Sequence, residues 1–396
     1  MHRGLLLRFG ILPKDLAIDR PIWIHAVSVG EAMAVKALAA ELRAVYPDKR
    51  FVISTVTPTG NKIARGLAKD GDFVTYLPFD FSFIVKSVID KINPSFFIIA
   101  ETEIWPNLIS YLHKKNIPIS VVNGRISDSS YRGYHMVRFL LKPILDKISL
   151  FCVQTNSDAE RFKGLGVPEE KIKITGNMKF DIEDCADSKK GYTDYRKRLD
   201  LEFSEKLLVA GSTHPGEEEI ILNVYKDSLS EFPYLKLLIA PRHPERAQEI
   251  ASLIRKFGFE TRMISLSNSQ TVRQSNSQTV FILDTMGQLI NYYAIADIVF
   301  VGGSLIKKGG HNILEPASFA KPILFGPYMF NFRDIAELFL INQAAILVNN
   351  QEELKVKIKE FLGAPVETQQ MGQRAKELIL DNAGATKRNA QLIKKL

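Results

Sequence analysis

Acidic side chains placed where an apolar strand or a glycine turn ends are the first candidates for chemistry in this sequence. Glu31 follows Gly30 at a predicted strand-to-helix turn. There the positive end of a helix dipole would keep a carboxylate ionised, as a general base requires. Glu101 and Glu103 end the apolar run 96–100. An ordinary helix-capping role for Glu31 and a structural ion pair for the other two are the alternatives.

Basic side chains occupy two further turns. Lys179 lies in the turn 176–181, and Arg242 and His243 follow a predicted buried strand. A guanidinium group can bind a phosphate group through two parallel hydrogen bonds, which makes Arg242 a candidate ligand for an anion. The alternatives are a solvated surface lysine and an ion pair between Arg242 and Glu245.

The glycine-rich stretch 299–327 is the most distinctive part of the chain. An apolar strand at 298–301 leads into Gly302-Gly303-Ser304, and Gly309-Gly310 precede a helix that we predict to start near His311. Such a turn offers free amide N–H groups and a positive helix end to an anion. Because the spacing matches neither GxGxxG nor a P-loop, a plain strand-to-helix turn is the alternative.

Strand-like and helix-like patterns alternate along the chain, which predicts that parallel sheets with crossover helices position these residues. A length of 396 residues favours two such domains. We place the first domain at 1–182, a polar linker at 183–205 and the second domain at 206–396. The last helix is a candidate to pack back on the first domain. Ligand-facing loops lie at the carboxyl ends of parallel strands, so we expect the candidate residues to line a cleft between the domains.

The composition narrows the class of protein. The chain is 46% hydrophobic and 24% charged, as soluble globular proteins are, and no apolar run approaches the length of a transmembrane helix. Its two cysteines cannot form a disulfide framework, which fits a reducing cytoplasm. The net charge of +8 favours an anionic partner. Nucleic acid is the weaker choice because no nucleic-acid-binding signature is present. No metal-binding pattern is present either.

Seven short motifs resemble, in order, those of the 3-deoxy-D-manno-octulosonic acid (Kdo) transferases of lipopolysaccharide synthesis. They are WIHAVSVGE (23–31), TPTG (57–60), ETEIWPN (101–107), GNMKFD (176–181), APRHPER (240–246), DTMGQL (284–289) and GGHNILEPA (309–317). The resemblance covers nearly the whole chain. It implies the GT-B fold, with two Rossmann-like domains, and transfer of Kdo from CMP-Kdo to a lipid A precursor, lipid IVA.

The resemblance also implies a role for each matching residue. Glu31 would be the general base, Glu101 a transition-state or positioning group, and Lys179 the cation near the Kdo carboxylate or the phosphate. The donor contacts that it implies are Pro241, Arg242, Met286, Gly287, Gln288, Asn312, Ile313, Leu314 and Glu315. It implies no metal and no cofactor, and it places the enzyme at the cytoplasmic face of the inner membrane.

The sequence departs from the family pattern at several points. Gln288 stands where the family usually has Glu, and Gly124 where it usually has Ala. The repeated segment SNSQTV (267–272 and 275–280) looks like an insertion and predicts a mobile loop. The family usually carries an N-terminal transmembrane helix, which is absent here. We therefore expect peripheral attachment, or a sequence that is short at its start.

The stretch 131–147 is our candidate for a membrane-facing surface. It interleaves Arg132, Arg138 and Lys142 with aromatic and aliphatic residues, as anionic lipid surfaces favour. The alternative is a core helix with a solvated basic edge. For the whole chain, the alternatives are another GT-B transferase or epimerase that uses a UDP-sugar, and a basic membrane- or nucleic-acid-binding module without catalysis.

Overall fold

The computed structural model describes residues 2–27, 29–182, 195–266 and 278–396. The chain divides into two compact units. One comprises Met1–Asp181 with Asn382–Leu396, and the other comprises Ile182–Asp381. The C-terminal segment therefore belongs to the first unit. Residues 183–194 of the predicted linker lie outside the described residues. Within its remainder, Arg196 donates hydrogen bonds to the carbonyls of Glu202 and Glu205 in the second unit.

The described strands and helices alternate along most of the chain. The strands are β1 (Ile22–His25), β2 (Phe51–Thr55), β3 (Phe73–Tyr76), β4 (Phe96–Ala100), β5 (Ile119–Gly124), β6 (Leu150–Val153), β7 (Ile172–Ile174), β8 (Lys206–Thr213), β9 (Leu235–Pro241), β10 (Glu260–Met263), β11 (Thr279–Ile282), β12 (Ile298–Val301), β13 (Ile323–Phe325) and β14 (Ile346–Leu347). The helices are α1 (His2–Arg8), α2 (Val29–Val45), α3 (Pro58–Leu67), α4 (Ser82–Ile92), α5 (Pro106–Lys114), α6 (Asp128–Met136), α7 (Arg138–Leu145), α8 (Asn156–Gly164), α9 (Glu217–Ser228), α10 (Ala247–Lys256), α11 (Leu289–Ile295), α12 (Leu314–Ser318), α13 (Arg333–Ile341), α14 (Gln351–Gly363), α15 (Pro365–Asn382) and α16 (Ala385–Ile393).

Each unit contains one seven-stranded sheet, with the strand orders β3-β2-β1-β4-β5-β6-β7 and β10-β11-β9-β8-β12-β13-β14. All described strand pairs are parallel. Helices cover both faces, so central strands such as Ile22–His25 and Ile298–Val301 are buried throughout and read as apolar runs. The strand order reverses between β1 and β4 in one sheet and between β8 and β12 in the other. Open α/β sheets bind ligands outside the carboxyl ends of the strands at such points.

Local structure departs from the sequence predictions at three places. The helix predicted from His311 begins only at Leu314 and is five residues long. Gly309 and Gly310 have φ values of +98° and +71°, which keep the chain out of the helical region just before it. Ser157 and Asp158 are residue types common at helix caps, so the sequence predicts the start of α8 there. Thr155 caps the helix instead, because its hydroxyl accepts a hydrogen bond from the Asp158 amide.

The third departure concerns the SNSQTV repeat. Residues 267–277 lie outside the described residues, but the second copy ends within β11, which pairs with β10 and β9. Thr279 and Val280 are therefore strand residues rather than loop residues. Val280 is fully buried in the core of the second unit, so burial of the last apolar residue outweighs the polar character of the repeat.

Candidate active site

Glu31 is the third residue of α2, just after the carboxyl end of β1. Its side chain is largely buried, with 8% of the residue exposed. Its Oε2 accepts a hydrogen bond of 2.7 Å from the Val27 amide, which precedes the helix. This is the bond of a helix cap, so the capping interpretation describes the geometry of the residue. A carboxylate has about four acceptor sites, so the bond from Val27 is compatible with taking a proton.

Glu101 follows β4 and lies across the switch point from the start of α2. Its Oε1 lies 3.1 Å from Lys179 Nζ, and its Oε2 lies 3.2 Å from Arg125 Nε. The Lys179 and Glu101 side chains are only 16% and 15% exposed, so this lysine is not a solvated surface residue. Glu101 adopts a left-handed φ of +56°, uncommon for a non-glycine residue outside turns and functional sites.

Glu103 is a second acidic group in the same loop. Burial, the negative charge of Glu31 and that of Glu101 raise its pKa to about 7. Burial, and then the charge of Glu103, also raises the pKa of the Tyr134 hydroxyl on α6. Glu103 is therefore coupled by charge to Glu31 and keeps a proton near neutral pH. The sequence predicted acidic residues in this loop, but no sequence pattern indicates that Glu103 is buried.

Lys179 is positioned by a network of buried polar groups. Asn123, at the end of β5, has a left-handed φ of +53°. Its side-chain oxygen accepts a hydrogen bond of 2.9 Å from the Met178 amide. Asn177 accepts another, of 3.0 Å, from the Lys179 amide. Asp181 accepts bonds from two amides at the start of α16. The C-terminal helix thus helps to hold the lysine turn in place.

In the second unit, the predicted donor contacts lie on loops that follow neighbouring strands. Arg242 follows β9, and its amide donates a hydrogen bond to the Thr213 carbonyl at the end of β8. Among the described residues its guanidinium forms no ion pair, because the carboxylate of Glu245 lies beside His243, with Oε1 and Nδ1 3.3 Å apart. The alternative of an ion pair between Arg242 and Glu245 is therefore wrong, and the Arg242 guanidinium remains available at this edge of the sheet.

The glycine turn after β12 does not offer its amides to a ligand. Glu217 of α9 is fully buried, and its carboxylate accepts hydrogen bonds of 2.7–3.0 Å from the amides of Gly303, Ser304 and Leu305. A fourth bond comes from the His214 amide. The expectation of free N–H groups in this turn is wrong, because an internal carboxylate already occupies them. A bound phosphate would have to be recognised by groups outside residues 303–305.

The remaining predicted donor contacts differ in whether their side chains or their backbone groups could contact a ligand. Met286 is exposed, and Gly287 adopts a φ of +80° just before Gln288 and α11. Asn312 donates a hydrogen bond of 3.1 Å to Glu315, and burial raises the pKa of that carboxyl group. Three further predicted contacts have buried side chains: Pro241, Ile313 and Leu314. These residues can therefore reach a ligand only through their backbone groups.

Neither a metal centre nor a membrane span is evident in the stretches that the structure describes. No group of three His, Cys, Asp or Glu side chains there could hold a metal ion. In the same stretches, no helix combines the length and the apolar character needed to cross a membrane.

Comparison with known proteins decides the family. The family model described as 3-deoxy-D-manno-octulosonic-acid transferase (kdotransferase) matches residues 3–182. A curated Kdo transferase of Haemophilus influenzae is 37% identical over 375 residues, which cover 94% of this chain and 86% of that protein. One from Rickettsia felis is 33% identical over 352 residues, covering 89% and 74%. This chain belongs to the Kdo transferase family. It is therefore a glycosyltransferase.

Solved structures of lower identity share the fold of this Kdo transferase. The S. aureus MnaA-UDP co-structure is 14% identical, with a TM-score of 0.56, and the match covers 95% of this chain and 96% of that one. A UDP-GlcNAc 2-epimerase from Neisseria meningitidis is 12% identical, with a TM-score of 0.58, covering 91% and 99%. With the two parallel-sheet units, these likenesses confirm the predicted GT-B fold class. The roles assigned to individual residues stay predictions.

Proposed function

We propose that this Kdo transferase moves Kdo from CMP-Kdo to a hydroxyl group of a lipid A precursor, lipid IVA, with Glu31 as the general base. Membership of the family supports the transferred sugar. The observation that carries the proposal is the coupled carboxyl pair Glu31–Glu103 at the switch point of the first sheet, beside the Glu101–Lys179 ion pair.

The proposed reaction is one displacement at the anomeric carbon. Glu31 takes the proton of the acceptor hydroxyl, and the oxygen forms the new glycosidic bond while the bond from the anomeric carbon to the phosphate oxygen breaks. The transition state has oxocarbenium character, and the configuration inverts. Two neighbouring carboxyl groups repel each other when both are ionised, so Glu31 and Glu103 together favour a single negative charge. This arrangement suits an ionised Glu31 as the base beside a neutral Glu103.

Charged groups on each unit fit the two anionic parts of the donor. Lys179, already held by Glu101, would face the Kdo carboxylate or the phosphate, and Arg242 would bind the phosphate of CMP. Arginine suits this role because its fork matches two phosphate oxygens. The cations supply charge stabilisation in the proposed mechanism, which uses no metal ion or cofactor.

The acceptor is a lipid, and the first unit exposes apolar side chains beside basic ones. Met136, Phe139 and Leu140 of the α6–α7 region are 80%, 70% and 61% exposed. Tyr131, Tyr134 and Leu141 pack against the core instead. The two alternatives for 131–147 thus each describe one face of the segment. We propose that the exposed face, with Arg132, Arg138 and Lys142, contacts an anionic membrane surface at the cytoplasmic face of the inner membrane.

A second exposed apolar surface of the first unit supports the same proposal. Leu5, Leu6, Phe9 and Ile11, in and just after α1, are about half exposed, and Phe81 and Phe83 near the start of α4 are exposed as well. Phe9 contacts Phe79, with ring centroids 5.1 Å apart, and the rings of Phe79, Phe81 and Phe83 follow one another at 6.5 and 6.1 Å. Contiguous exposed rings on a protein surface mark an interaction site.

The test is the mass of the product. The purified chain is incubated with CMP-Kdo and a tetraacyl lipid A precursor, and the lipid is analysed by mass spectrometry. Addition of Kdo is expected, whereas an unchanged lipid with a competent control transferase in parallel would contradict the acceptor. Protection against heat unfolding by cytidine rather than uridine nucleotides is also expected. Protection by uridine nucleotides alone would favour the alternative, an enzyme that uses a UDP-sugar.

A further inference from the structure

Two histidines of the second unit form a pair at the switch point of the sheet. His214 follows β8, and His311 lies in the loop after β12, so they belong to the two central strands where the strand order reverses. Their Nε2 atoms are 2.9 Å apart, and the two rings are nearly parallel, at 6°. Gly303, at a φ of +67°, lies directly beside them. A Cβ at this position would approach His311 to 3.0 Å.

The hydrogen bond between the two Nε2 atoms fixes how many protons the pair can hold. In the neutral pair, one Nε2 carries the hydrogen and the other accepts it. Addition of one proton places hydrogen on both Nδ1 atoms and leaves the Nε2 hydrogen bond intact. A second added proton would put hydrogen on both Nε2 atoms and break that bond. The pair is therefore built to gain or lose one positive charge.

The surroundings keep the pair neutral in the absence of a ligand. Burial lowers the pKa of both rings, that of His311 to about 4, and the neighbouring cations lower both further. The positive and titratable neighbours that act on the pair are Arg242, His243, Lys308 and Arg246.

The nearby carboxylates are engaged with other groups, so they do not cancel the effect of these positive charges on the histidine pair. Glu217 is directed to backbone amides, Glu218 and Glu249 bind Arg246, and Glu245 lies beside His243. An anion that binds beside the pair would therefore reverse the local balance of charge and favour the protonated form.

We propose that the His214–His311 pair takes up one proton when the phosphate group of the donor binds, and that the charged pair stabilises the departing nucleotide. The proposal rests on the function proposed above, because it needs a donor that carries a phosphate group. It assigns a role to two side chains that were not among the predicted site residues. The glycine turn beside the pair cannot take that role, because Glu217 already binds its amides.

The step balances in atoms and charge. When the bond from the anomeric carbon to the phosphate oxygen breaks, its electron pair stays on that oxygen, and the phosphodiester monoanion becomes a monoester. The second ionisation of a phosphate monoester has a pKa of about 6, so negative charge develops on the group as it leaves. The imidazolium donates a hydrogen bond to that charge. The proton comes from solvent at donor binding and returns to solvent when the nucleotide leaves.

The experiment measures protons taken up when CMP binds to the full chain. Isothermal titration calorimetry at pH 7.5 in two buffers of different ionisation enthalpy gives the number of protons per CMP. We expect up to one more proton for the wild type than for His311→Gln. The titration of CMP itself is common to both proteins and cancels in the difference. His113→Gln, an exposed residue of α5 in the first unit, is the matched control and should equal the wild type.

Two further measurements make the outcome decisive. Nitrogen-15 spectra of labelled histidine in the wild type, with and without CMP, report the protonation of the pair without any substitution. In His311→Gln, the pH profile of kcat should no longer show the ionisation of the pair. The value of kcat should fall by roughly 10²–10³-fold, as when one charge-stabilising donor is removed. CMP binding with no difference in proton uptake and unchanged histidine spectra would overturn this inference alone. Failure of the wild type to bind CMP would overturn the proposed donor as well.

Discussion

At the scale of single residues, the assignment of Glu31 as the base has a direct test. Glu31→Gln keeps an oxygen that can accept the bond from the Val27 amide, so α2 should still begin at the same place. Loss of the basic group should lower kcat by roughly 10²–10⁴-fold. The measurement is the rate of Kdo transfer at saturating donor. Glu41→Gln, on the same helix, is the control, and an equal rate in both variants would remove Glu31 from the mechanism.

Glu103 gives a pH-dependent prediction at the same scale. Its pKa is raised from 4.5 to about 7, so the folded state keeps a proton through that window after the unfolded chain has released it. Stability contributed by the protonated form is therefore lost as the pH rises from about 4.5 to 7. Glu103→Gln imitates the protonated form and should raise Tm relative to the wild type at pH 8, with little difference at pH 4.

The comparison for Glu103 is made by calorimetry across that pH range. Glu170→Gln is the matched control, because Glu170 is an exposed carboxyl group of the same unit. The difference in Tm between Glu170→Gln and the wild type should be the same at each pH. A flat difference for Glu103→Gln as well would mean that the carboxyl group ionises normally and that the coupling with Glu31 is absent.

At the scale of elements, one carboxylate connects a helix to the loop after the neighbouring strand. Glu217 of α9 accepts bonds from three amides of the turn after β12 and from the His214 amide. Glu217→Gln would turn an NH₂ group towards amide donors and leave some of them unsatisfied. Each unsatisfied buried group costs about 1–3 kcal/mol. We therefore expect a lower urea midpoint together with weaker CMP binding.

The control for Glu217 lies on the same helix. Glu219 is exposed, so Glu219→Gln should change neither the urea midpoint nor the affinity for CMP. A Glu217→Gln variant that loses stability but binds CMP with unchanged affinity would separate the turn after β12 from the donor site.

Elements whose sequence pattern is local could be predicted, and contacts between distant residues could not. The central strands are buried on both faces, so their apolar runs identified them, and the parallel sheets followed from their alternation with helices. The GT-B fold was implied by the resemblance to the family. The amides of the glycine turn were misjudged because Glu217, 86 positions before Gly303, binds them. The histidine pair joins residues 97 positions apart, and although His311 lies in the motif 309–317, nothing in the sequence indicates its contact with His214. Lys179 was found through its motif, but its ion pair with Glu101 depends on two left-handed backbone positions.

At the scale of the whole molecule, the two units place their candidate functional residues at the same position of the sheet. In each sheet the strand order reverses beside the first strand, and the chemistry gathers on the loops that follow the two central strands. The first unit places a coupled carboxyl pair there, and the second places a coupled histidine pair. The two pairs suit opposite tasks, because the proposed reaction removes a proton from the acceptor and stabilises negative charge on the donor.

The net charge of +8 and the exposed face of α6–α7 together predict how the molecule meets a membrane. Replacing Arg132, Arg138 and Lys142 by Ser should weaken binding to anionic vesicles at low salt. Each cation contributes roughly 1 kcal/mol at such a surface, so the loss could reach about 100-fold. It should shrink at high salt, where screening removes the attraction.

The control replaces three exposed lysines elsewhere by Ser and lowers the net charge by the same three units; they are Lys376 of α15, Lys387 of α16 and Lys395 just after α16. If attraction depended only on net charge, both triple variants would lose affinity equally, whereas a membrane-facing surface predicts a loss confined to the first. Phe139→Ser with Leu140→Ser should weaken the part of binding that survives at high salt, because burial of apolar surface is not screened. Sedimentation with vesicles measures all three. Unchanged binding by the α6–α7 variants, with Tm preserved, would leave Phe139 and Leu140 without a membrane role.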